Sequence, residues 1–488
     1  MKLRAPGFLH RGAMTAAVAM AARVSNQLAL VVVTLVATRV LLPADFGVFA
    51  IAAAFITLSR TMLYTGPFEY LLKAPKARAV EVSSACLAAN GIVAGGWVVV
   101  LVALGVVAPL LFSGTGVAPV MLSLAPSTLL AALAGWLEAM LLRSGQVRRY
   151  YTLTVAIEMA SGIGAIVLLM LGFGLWALVA QVYLRLTLFV VAYRAVLHLP
   201  RLSLPARADL GDVLYWSRSR YGSVLVGFLA NYSGDLLLGI AFSPAASGLY
   251  RASNRMVTAL ADMFNQPAGL LATTTMAAAR SQGEDGSDIW LKLLTLFAAL
   301  SWPALAVLAL LADRIAPLAL GPAWAAAGPI VAVFCVARMA GLVGTVASSA
   351  LVVDDRHGRV LSVQGLAALA TAGLTLVAAP YGPRAAAMVS AVVAIVAAIA
   401  LASAALRTGG RQRPRLGETT RAVLVPLAGG FTAALLADAL LHRTGIRQDW
   451  SLLVIAGSAA IGWLLAAWAV FPALNRGLAL LGSRTQAT

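Results

Sequence analysis

The stretch LPADFGVFA at residues 42 to 50 recurs in altered form as SPAASGLYR at residues 243 to 251. Both copies fit the pattern P-A-x-x-G-[VL]-[FY], which aligns Pro43 with Pro244 and Gly47 with Gly248 at an offset of 201 residues. Proline near a helix start costs little, because its missing N–H would be unpaired there. Each copy is therefore predicted to be a tight turn that opens a helix. A chance match between two turn-forming stretches is the alternative to an internal repeat.

The composition around these stretches is that of a polytopic membrane protein. Of 488 residues, 61% are apolar and only 11% are charged. Segments of about 20 mostly apolar residues recur along the chain, and each is long enough as a helix to cross about 30 Å of hydrocarbon. The fold class is thus all-α with about fourteen predicted transmembrane spans. They are 15–39, 46–70, 83–112, 118–142, 152–172, 174–197, 219–242, 247–276, 289–312, 323–351, 359–379, 383–406, 422–441 and 450–473.

The net charge of +18 reflects membrane topology. With the N-terminus inside, the inner side carries 25 Lys and Arg residues and the outer side four, Arg314, Arg384, Arg443 and Arg447. This asymmetry follows the positive-inside rule and predicts that both termini are cytoplasmic. The basic residues also attract anionic lipids, and nucleic acid is not a predicted partner. The apolar run after Lys2, Arg4 and Arg11 has no convincing cleavage site, so it is predicted to be a retained helix.

The repeat predicts two six-span lobes and an added pair of helices. Six spans separate the two copies, and an even number returns the chain to the same side, so the lobes are expected to be parallel pseudo-repeats around a central cavity. The predicted boundaries are an N-terminal lobe at 1–198, a basic linker at 199–218, a C-terminal lobe at 219–406, a second basic linker at 407–421, and spans 13 and 14 with the tail at 422–488.

Cysteines and histidines indicate no metal centre. Cys86 and Cys335 are isolated in predicted helices, and the four histidines are scattered near helix ends. No disulfide framework, metal-ligand cluster or cofactor is therefore predicted.

Charged residues inside the predicted spans are the candidate functional residues. A central charge costs roughly 2.5–3.5 kcal/mol on insertion scales, so several together predict water, partners or a function. Four arginines lie about 8 to 13 residues from the nearer end of their spans, which favours a hydrated cavity: Arg60, Arg185, Arg255 and Arg338. Arg23 belongs to a polar cluster in span 1, whereas Arg251 is near enough to the outer end of span 8 for its side chain to reach the surface.

The acidic residues in the spans have two possible roles. Asp235 and Arg255 are equally far from the turn between spans 7 and 8, so a structural ion pair between them is predicted. Asp262 lies on the same helical face as Arg251 and Arg255. Glu138 and Glu158 near the cytoplasmic ends of spans 4 and 5 are candidate proton or cation sites, because a buried carboxylate can be neutralised and recharged. Pairing with nearby arginines is the alternative for both.

Three stretches resemble one family of exporters. LLPADFGVFAIAAAF (41–55), NYSGDLLLG with SGLYRASNR (231–239 and 247–255) and IAPLALGPAWAAAGPIVAVF (315–334) are similar to segments of the Wzx-like polysaccharide and oligosaccharide flippases. These belong to the multidrug/oligosaccharidyl-lipid/polysaccharide exporter (MOP) superfamily. The resemblance covers most of spans 1 to 12. It departs late in span 8, where LLATTTMAAAR (270–280) lacks the family's frequent second proline. Spans 13 and 14 resemble instead the last pair of the fourteen-helix lipid II flippases.

The resemblance implies a transporter that moves an undecaprenyl-diphosphate-linked oligosaccharide across the bacterial inner membrane by alternating access. It implies polysaccharide polymerase machinery as a further partner. On this hypothesis the four deep arginines contact the diphosphate or glycan, with Trp136 and Tyr232 as sugar-stacking surfaces. A cation-coupled drug antiporter and a lipid II flippase are the alternatives. An enzyme is not predicted, because no external connection is much longer than about ten residues.

Overall fold

The computed structural model describes residues 25, 27, 29–75, 78–112, 116–199, 203–281, 289–408, 416–444 and 448–475, and every regular element in these ranges is helical. Near-continuous apolar sequence explains this, because only helices satisfy their own backbone hydrogen bonds within a lipid-exposed segment.

The first half of the described chain contains nine helices with short connections. They are α1 (Ala29–Val40), α2 (Pro43–Leu63), α3 (Glu69–Lys73), α4 (Ala79–Leu111), α5 (Val117–Leu124), α6 (Ser127–Arg143), α7 (Val147–Met170), α8 (Leu175–Val196) and α9 (Arg207–Ala241). A π-helical turn, Tyr64–Phe68, joins α2 to α3.

Eight further helices follow. They are α10 (Pro244–Ser281), α11 (Ile289–Leu310), α12 (Ala312–Leu320), α13 (Gly328–Val353), α14 (His357–Ala378), α15 (Pro383–Thr408), α16 (Leu416–Thr444) and α17 (Gln448–Ala469). Short 3₁₀ turns at Pro322–Ala327 and Ala379–Tyr381 precede α13 and α15.

Twelve spans in the described residues are long and apolar enough to cross a membrane, and they coincide with twelve of the fourteen predicted. The first predicted span lies largely outside the described residues, and Ala29–Val40 is its described part. The eighth corresponds to α10, whose apolar runs are interrupted by polar and charged residues. The all-helical fold class is confirmed, and fourteen is an approximate count.

The two PAxxG stretches start helices and pack against each other. Pro43 begins α2 and Pro244 begins α10, where the Ala246 N–H donates to the Ser243 side chain at 3.1 Å. A Cβ placed on Gly47 would overlap the Pro244 carbonyl oxygen, and a Cβ on Gly248 would overlap the Pro43 carbonyl oxygen. The matched glycines thus permit a reciprocal backbone contact between two helix starts.

The chain forms two compact units. The first comprises Met1–Arg251 and Thr375–Pro383, and the second comprises Ala252–Leu374 and Arg384–Thr488. In the first unit, fully buried side chains such as Leu101, Met121 and Trp136 form the core. In the second, Leu293, Leu342 and Leu351 have the same role within a larger apolar cluster. The lobe and linker boundaries inferred from the repeat remain predictions.

A break in the second predicted span lies between α2 and α3. Gly66 has non-helical backbone angles (φ −92°, ψ −108°) and precedes Pro67, which cannot donate a helical hydrogen bond. The bare backbone of Gly66 packs on α9, where an added Cβ would come within 2.7 Å of the Tyr221 hydroxyl. Just beyond the break, Glu69 forms an ion pair with Arg220 at 2.8 Å.

Within the second unit, the added helix pair α16 and α17 contacts α11 and α12. The indole N–H of Trp463 donates to the Ala299 carbonyl at 2.8 Å, and Arg314 forms an ion pair with Asp438 at 2.6 Å. Between α16 and α17, Gly429 and Gly462 let the two backbones approach closely. Close packing through small residues is a common way for membrane helices to associate.

Candidate functional site

A polar network crosses the first unit on α2, α6, α7 and α8. Glu138 on α6 accepts a hydrogen bond on each carboxylate oxygen, from the Tyr64 hydroxyl at 2.6 Å and from the Tyr150 hydroxyl at 2.8 Å. The Tyr64 ring lies against the bare backbone of Gly135, one turn before Glu138 on α6. The predicted alternative partners of Glu138 were arginines, whereas the structure supplies two phenols.

Two deep arginines belong to the same network. Arg185 on α8 lies 3.7 Å from Glu158 on α7, with about a quarter of each side chain exposed (24% and 22%). Arg60, one helical turn before Tyr64, interacts electrostatically with both Glu138 and Arg185. The structure therefore brings together four of the predicted site residues of the first unit.

Arg185 has an unsatisfied donor. Its Nε atom is buried, and no described residue accepts a hydrogen bond from it. The contact with Glu158 is an ion pair longer than a hydrogen bond, so it leaves the guanidinium poorly satisfied. An orphaned buried N–H of this kind needs an explanation, and an anionic ligand is one.

A second polar group lies at the α9–α10 turn. Asp235 is fully buried and pairs with Arg251 at 2.8 Å, and the Arg251 guanidinium lies 4.5 Å from the Tyr232 ring centre. Tyr232 in turn stacks on Phe228 with 5.2 Å between ring centres. Arg251 is therefore a partner of Asp235 rather than a free surface residue. A contact between Asp235 and Arg255 stays a prediction.

In the second unit, Arg338 donates from Nη2 to the Asn254 side chain at 2.7 Å. That bond joins α13 to α10, and Thr258, also on α10, donates to the same Asn254 oxygen at 3.2 Å. Arg255 is half-buried on α10, one residue after Asn254, and Asp262 accepts a long hydrogen bond of 3.4 Å from Gln266.

Two further predicted site residues, Arg23 and Trp136, are not placed in a site by the described part of the structure. Arg23 lies outside the described residues. Trp136 is only 2% exposed, and its indole N–H donates to the Ser83 carbonyl at 3.0 Å. A ring closed in by the apolar core has no free face for a sugar, so the structure gives no support to the predicted stacking role of Trp136.

Tyr64 and Tyr150 were missed at the sequence level. Tyr64 follows Arg60 by four residues, a spacing that puts both on one helical face. Tyr64 could therefore have been identified as the residue one turn after a deep arginine. Tyr150 comes to Glu138 only through the close approach of α6 and α7, and no pattern in the sequence identified it.

A family model described as "Polysaccharide biosynthesis protein" matches residues 14–329, about two thirds of the chain. The chain belongs to this family. No curated protein sequence matches it.

Two solved structures show the fold. "Lipid II flippase MurJ, inward closed conformation" superimposes with a TM-score of 0.77 at 11% identity and covers 94% of this chain and 99% of its own. An inward-facing "multidrug resistance MATE family transporter of the MOP superfamily" gives a TM-score of 0.58 at 16% identity and covers 80% and 96%. The resemblance to the MOP superfamily is confirmed, and the chain is a multi-pass membrane protein with the fold of its transporters.

Proposed function

We propose that this member of the polysaccharide biosynthesis family flips an undecaprenyl-diphosphate-linked oligosaccharide across the bacterial inner membrane for surface polysaccharide assembly, by alternating access. The observation that carries the proposal is Arg185, whose buried Nε has no described acceptor and which shares its surroundings with Arg60. A buried guanidinium N–H without an acceptor is costly in a membrane, and an anionic ligand would supply the missing acceptor.

The charge of the substrate matches this arrangement. A diphosphate is anionic and offers several acceptor oxygens, and arginine binds phosphate through two parallel hydrogen bonds. Arg60 and Arg185 are accordingly assigned to the diphosphate. Arg255 and Arg338 in the second unit are assigned to diphosphate or glycan, and Arg23 remains a predicted contact.

Tyr232 is the aromatic residue assigned to the glycan. Its ring is half-buried, with the Arg251 guanidinium 4.5 Å from the ring centre and the Phe228 ring centre at 5.2 Å, and the exposed part of the ring is assigned to the sugar. Arg251 and Asp235 then position this ring through their ion pair, since both are held on the same turn.

The carboxylates are assigned to ion coupling or to structural pairing. Glu138 is held by two phenols and Glu158 by Arg185, so a proton on either would raise the net positive charge that faces the diphosphate. Asp235 is a structural pair with Arg251. For Asp262, ion coupling and structural pairing both stay predictions.

A cation or drug antiporter of the same superfamily is the alternative. A site for cations favours unpaired carboxylates, whereas the described groups of the first unit include a guanidinium with a free donor. A lipid II flippase shares the proposed diphosphate chemistry, so only identification of the glycan separates it from the leading proposal.

The proposal is tested by deletion and complementation. Loss of the protein should abolish surface polysaccharide and leave a lipid-linked oligosaccharide in the inner leaflet, where extraction and mass spectrometry identify the glycan. Arg60→Gln and Arg185→Gln should fail to restore export at normal membrane abundance, whereas Arg194→Gln, an exposed arginine on the same helix, should restore it.

The contrary outcomes are distinct. Normal export by both deep-arginine variants would refute the proposed site. Unchanged surface glycans in the deletion strain, with altered drug tolerance, would favour the antiporter. Accumulation of lipid II would instead identify the lipid II flippase.

A further inference from the structure

The inner end of the second predicted span is a short separate helix, α3, joined to α2 by the break at Gly66 and Pro67. The π-helical turn interrupts the regular hydrogen-bond pattern, and Pro67 has no N–H to donate. Interruptions of this kind are where long helices bend. Of the five residues of α3, only Leu71 is buried. A segment with so little buried surface beyond a break is expected to open locally.

Polar contacts beyond the break hold α3 in place. On one side, Glu69 forms its 2.8 Å ion pair with Arg220 on α9. On the other side, Arg143 at the end of α6 donates to the Leu71 carbonyl and, at 2.9 Å, to the Pro75 carbonyl. Two arginines from different helices thus hold the segment, one through a side chain and one through the backbone.

The contact with α9 is one that water can replace at little cost. The side chains of Glu69 and Arg220 are 35% and 39% exposed, and ion pairs with this exposure contribute little to stability. The Nε atom of Arg220 is buried, and no described residue accepts a hydrogen bond from it. The remaining contacts are made by the Trp216 ring, whose centre lies 4.8 Å from the Arg220 guanidinium and 5.4 Å from the Lys73 amine. Such contacts can break and form again while the rest of the unit stays folded.

The break also connects α3 to the candidate site. Tyr64, the first residue of the π-helical turn, donates to Glu138. Its ring stacks on Phe68 at the other end of the turn, with 4.9 Å between ring centres. A rotation of α3 about the break therefore acts on a side chain that holds Glu138. Because Arg60 lies one turn before Tyr64, α3 follows the candidate site toward the side predicted to be cytoplasmic.

We propose that α3 is a hinged flap that opens locally at the predicted cytoplasmic end of the first unit. It turns about Gly66 and Pro67, and the contacts with Arg220 and Arg143 hold it closed. The use of the flap rests on the proposed function, in which its opening gives the substrate access from the inner side. The opening itself requires no substrate, so it can be measured in the purified protein.

The experiment measures thiol labelling on both sides of the break. Leu63→Cys and Leu71→Cys are a matched pair, because both leucines are at most 1% exposed and lie before and after the break. Each is placed on a Cys86→Ser/Cys335→Ser background, and maleimide labelling is followed in detergent well below the unfolding temperature. Glu69→Gln should speed labelling of Leu71→Cys about three- to fivefold, the effect of losing a partly exposed ion pair. Labelling of Leu63→Cys should not change.

A second variant and a native thiol extend the test. Arg143→Gln removes two hydrogen bonds to the backbone beyond the break and should speed labelling of Leu71→Cys about tenfold. Cys86 belongs to the same buried apolar cluster as Leu71, so on a Cys335→Ser background its labelling should rise in parallel. The matched control is Glu81→Gln, which removes an exposed ion pair at the start of α4 and should leave all three rates unchanged.

Each outcome decides the proposal. Faster labelling of Leu71→Cys alone, in Glu69→Gln or in Arg143→Gln, supports the flap and identifies the contact that holds it. Equal acceleration of Leu63→Cys would mean that the whole unit opens, and no acceleration in either variant would mean that these contacts hold nothing. Both results would overturn the flap, as would the same acceleration in Glu81→Gln. Flap opening in a protein whose deletion alters only drug tolerance would refute the proposed substrate and leave the flap standing.

Discussion

Replacing Gly47 or Gly248 with alanine should destabilise the first unit through the contact between the starts of α2 and α10. In either variant the new methyl group overlaps a proline carbonyl oxygen of the other helix. A backbone atom cannot rotate away as a side chain can, so the two helix starts must separate. The surrounding apolar core is close-packed and resists that movement.

The magnitude follows from two opposing effects. Overpacking of a closely packed site costs about 1–3 kcal/mol. Alanine in place of glycine inside a helix returns about 1 kcal/mol. Gly96 on α4 provides the control, because nothing lies within 4 Å of a Cβ placed there. Gly96→Ala gains only the helix-propensity stabilisation. The difference in stability between Gly47→Ala and Gly96→Ala therefore measures the cost of the steric overlap.

The two native cysteines supply the assay. Cys86 in the first unit is 1% exposed and Cys335 in the second is fully buried, so each becomes reactive only when its surroundings open. A fluorogenic maleimide followed during heating in detergent, on a Cys335→Ser background, reports the first unit alone. Gly47→Ala should lower the midpoint temperature of Cys86 labelling relative to Gly96→Ala.

Additivity provides a second test. Both alanines push apart the same two helix starts, so the double variant Gly47→Ala/Gly248→Ala should lose less than the sum of the single losses. A Gly47→Ala midpoint equal to or above that of Gly96→Ala would refute the reciprocal contact.

Three further changes address other contacts. Tyr64→Phe removes the 2.6 Å hydrogen bond to the α6 carboxylate and should cost about 1.5–3 kcal/mol, seen as a lower Cys86 midpoint; an unchanged midpoint would contradict that bond. Arg251→Gln removes the 2.8 Å ion pair to the fully buried Asp235 and should cost about 3–5 kcal/mol, with a smaller loss when Asp235→Asn is added; equal losses would argue against the pair. Gly462→Ala overlaps α16 and should cost about 1–3 kcal/mol relative to Gly457→Ala, which has open space around it, seen as a lower midpoint temperature of Cys335 labelling; a reversed order would exclude the close α16–α17 approach.

Much of the architecture was predictable because lipid constrains sequence strongly. A spanning helix needs a long apolar run, and its connections on the inner side collect arginine and lysine. These one-dimensional signals located twelve spans that the structure confirms. Hydropathy is weakest at α10, where Arg251, Arg255 and Asp262 lower it, and α10 corresponds to the predicted span that is not among those twelve.

The partners of the candidate residues were harder to predict. Depth along a helix suggested which arginines were unusual, but depth does not specify the rotation of a helix or its neighbours. Asp235 forms an ion pair with Arg251 that depth alone did not predict, and its pairing with Arg255 stays a prediction. Trp136 was chosen for its ring, and its burial against Ser83 depends on how α4 and α6 pack.

The amino-acid sequence alone was enough to predict a multi-pass, all-helical membrane protein, because length, apolarity and charge asymmetry are local properties. Tertiary packing was needed for everything that depends on distance between helices. The phenols of Tyr64 and Tyr150 reach Glu138 only because α2, α6 and α7 meet there. The PAxxG stretch shows both contributions. Its proline predicts a helix start from sequence alone, whereas only the tertiary structure shows that its glycine lies where the two helix starts are in contact.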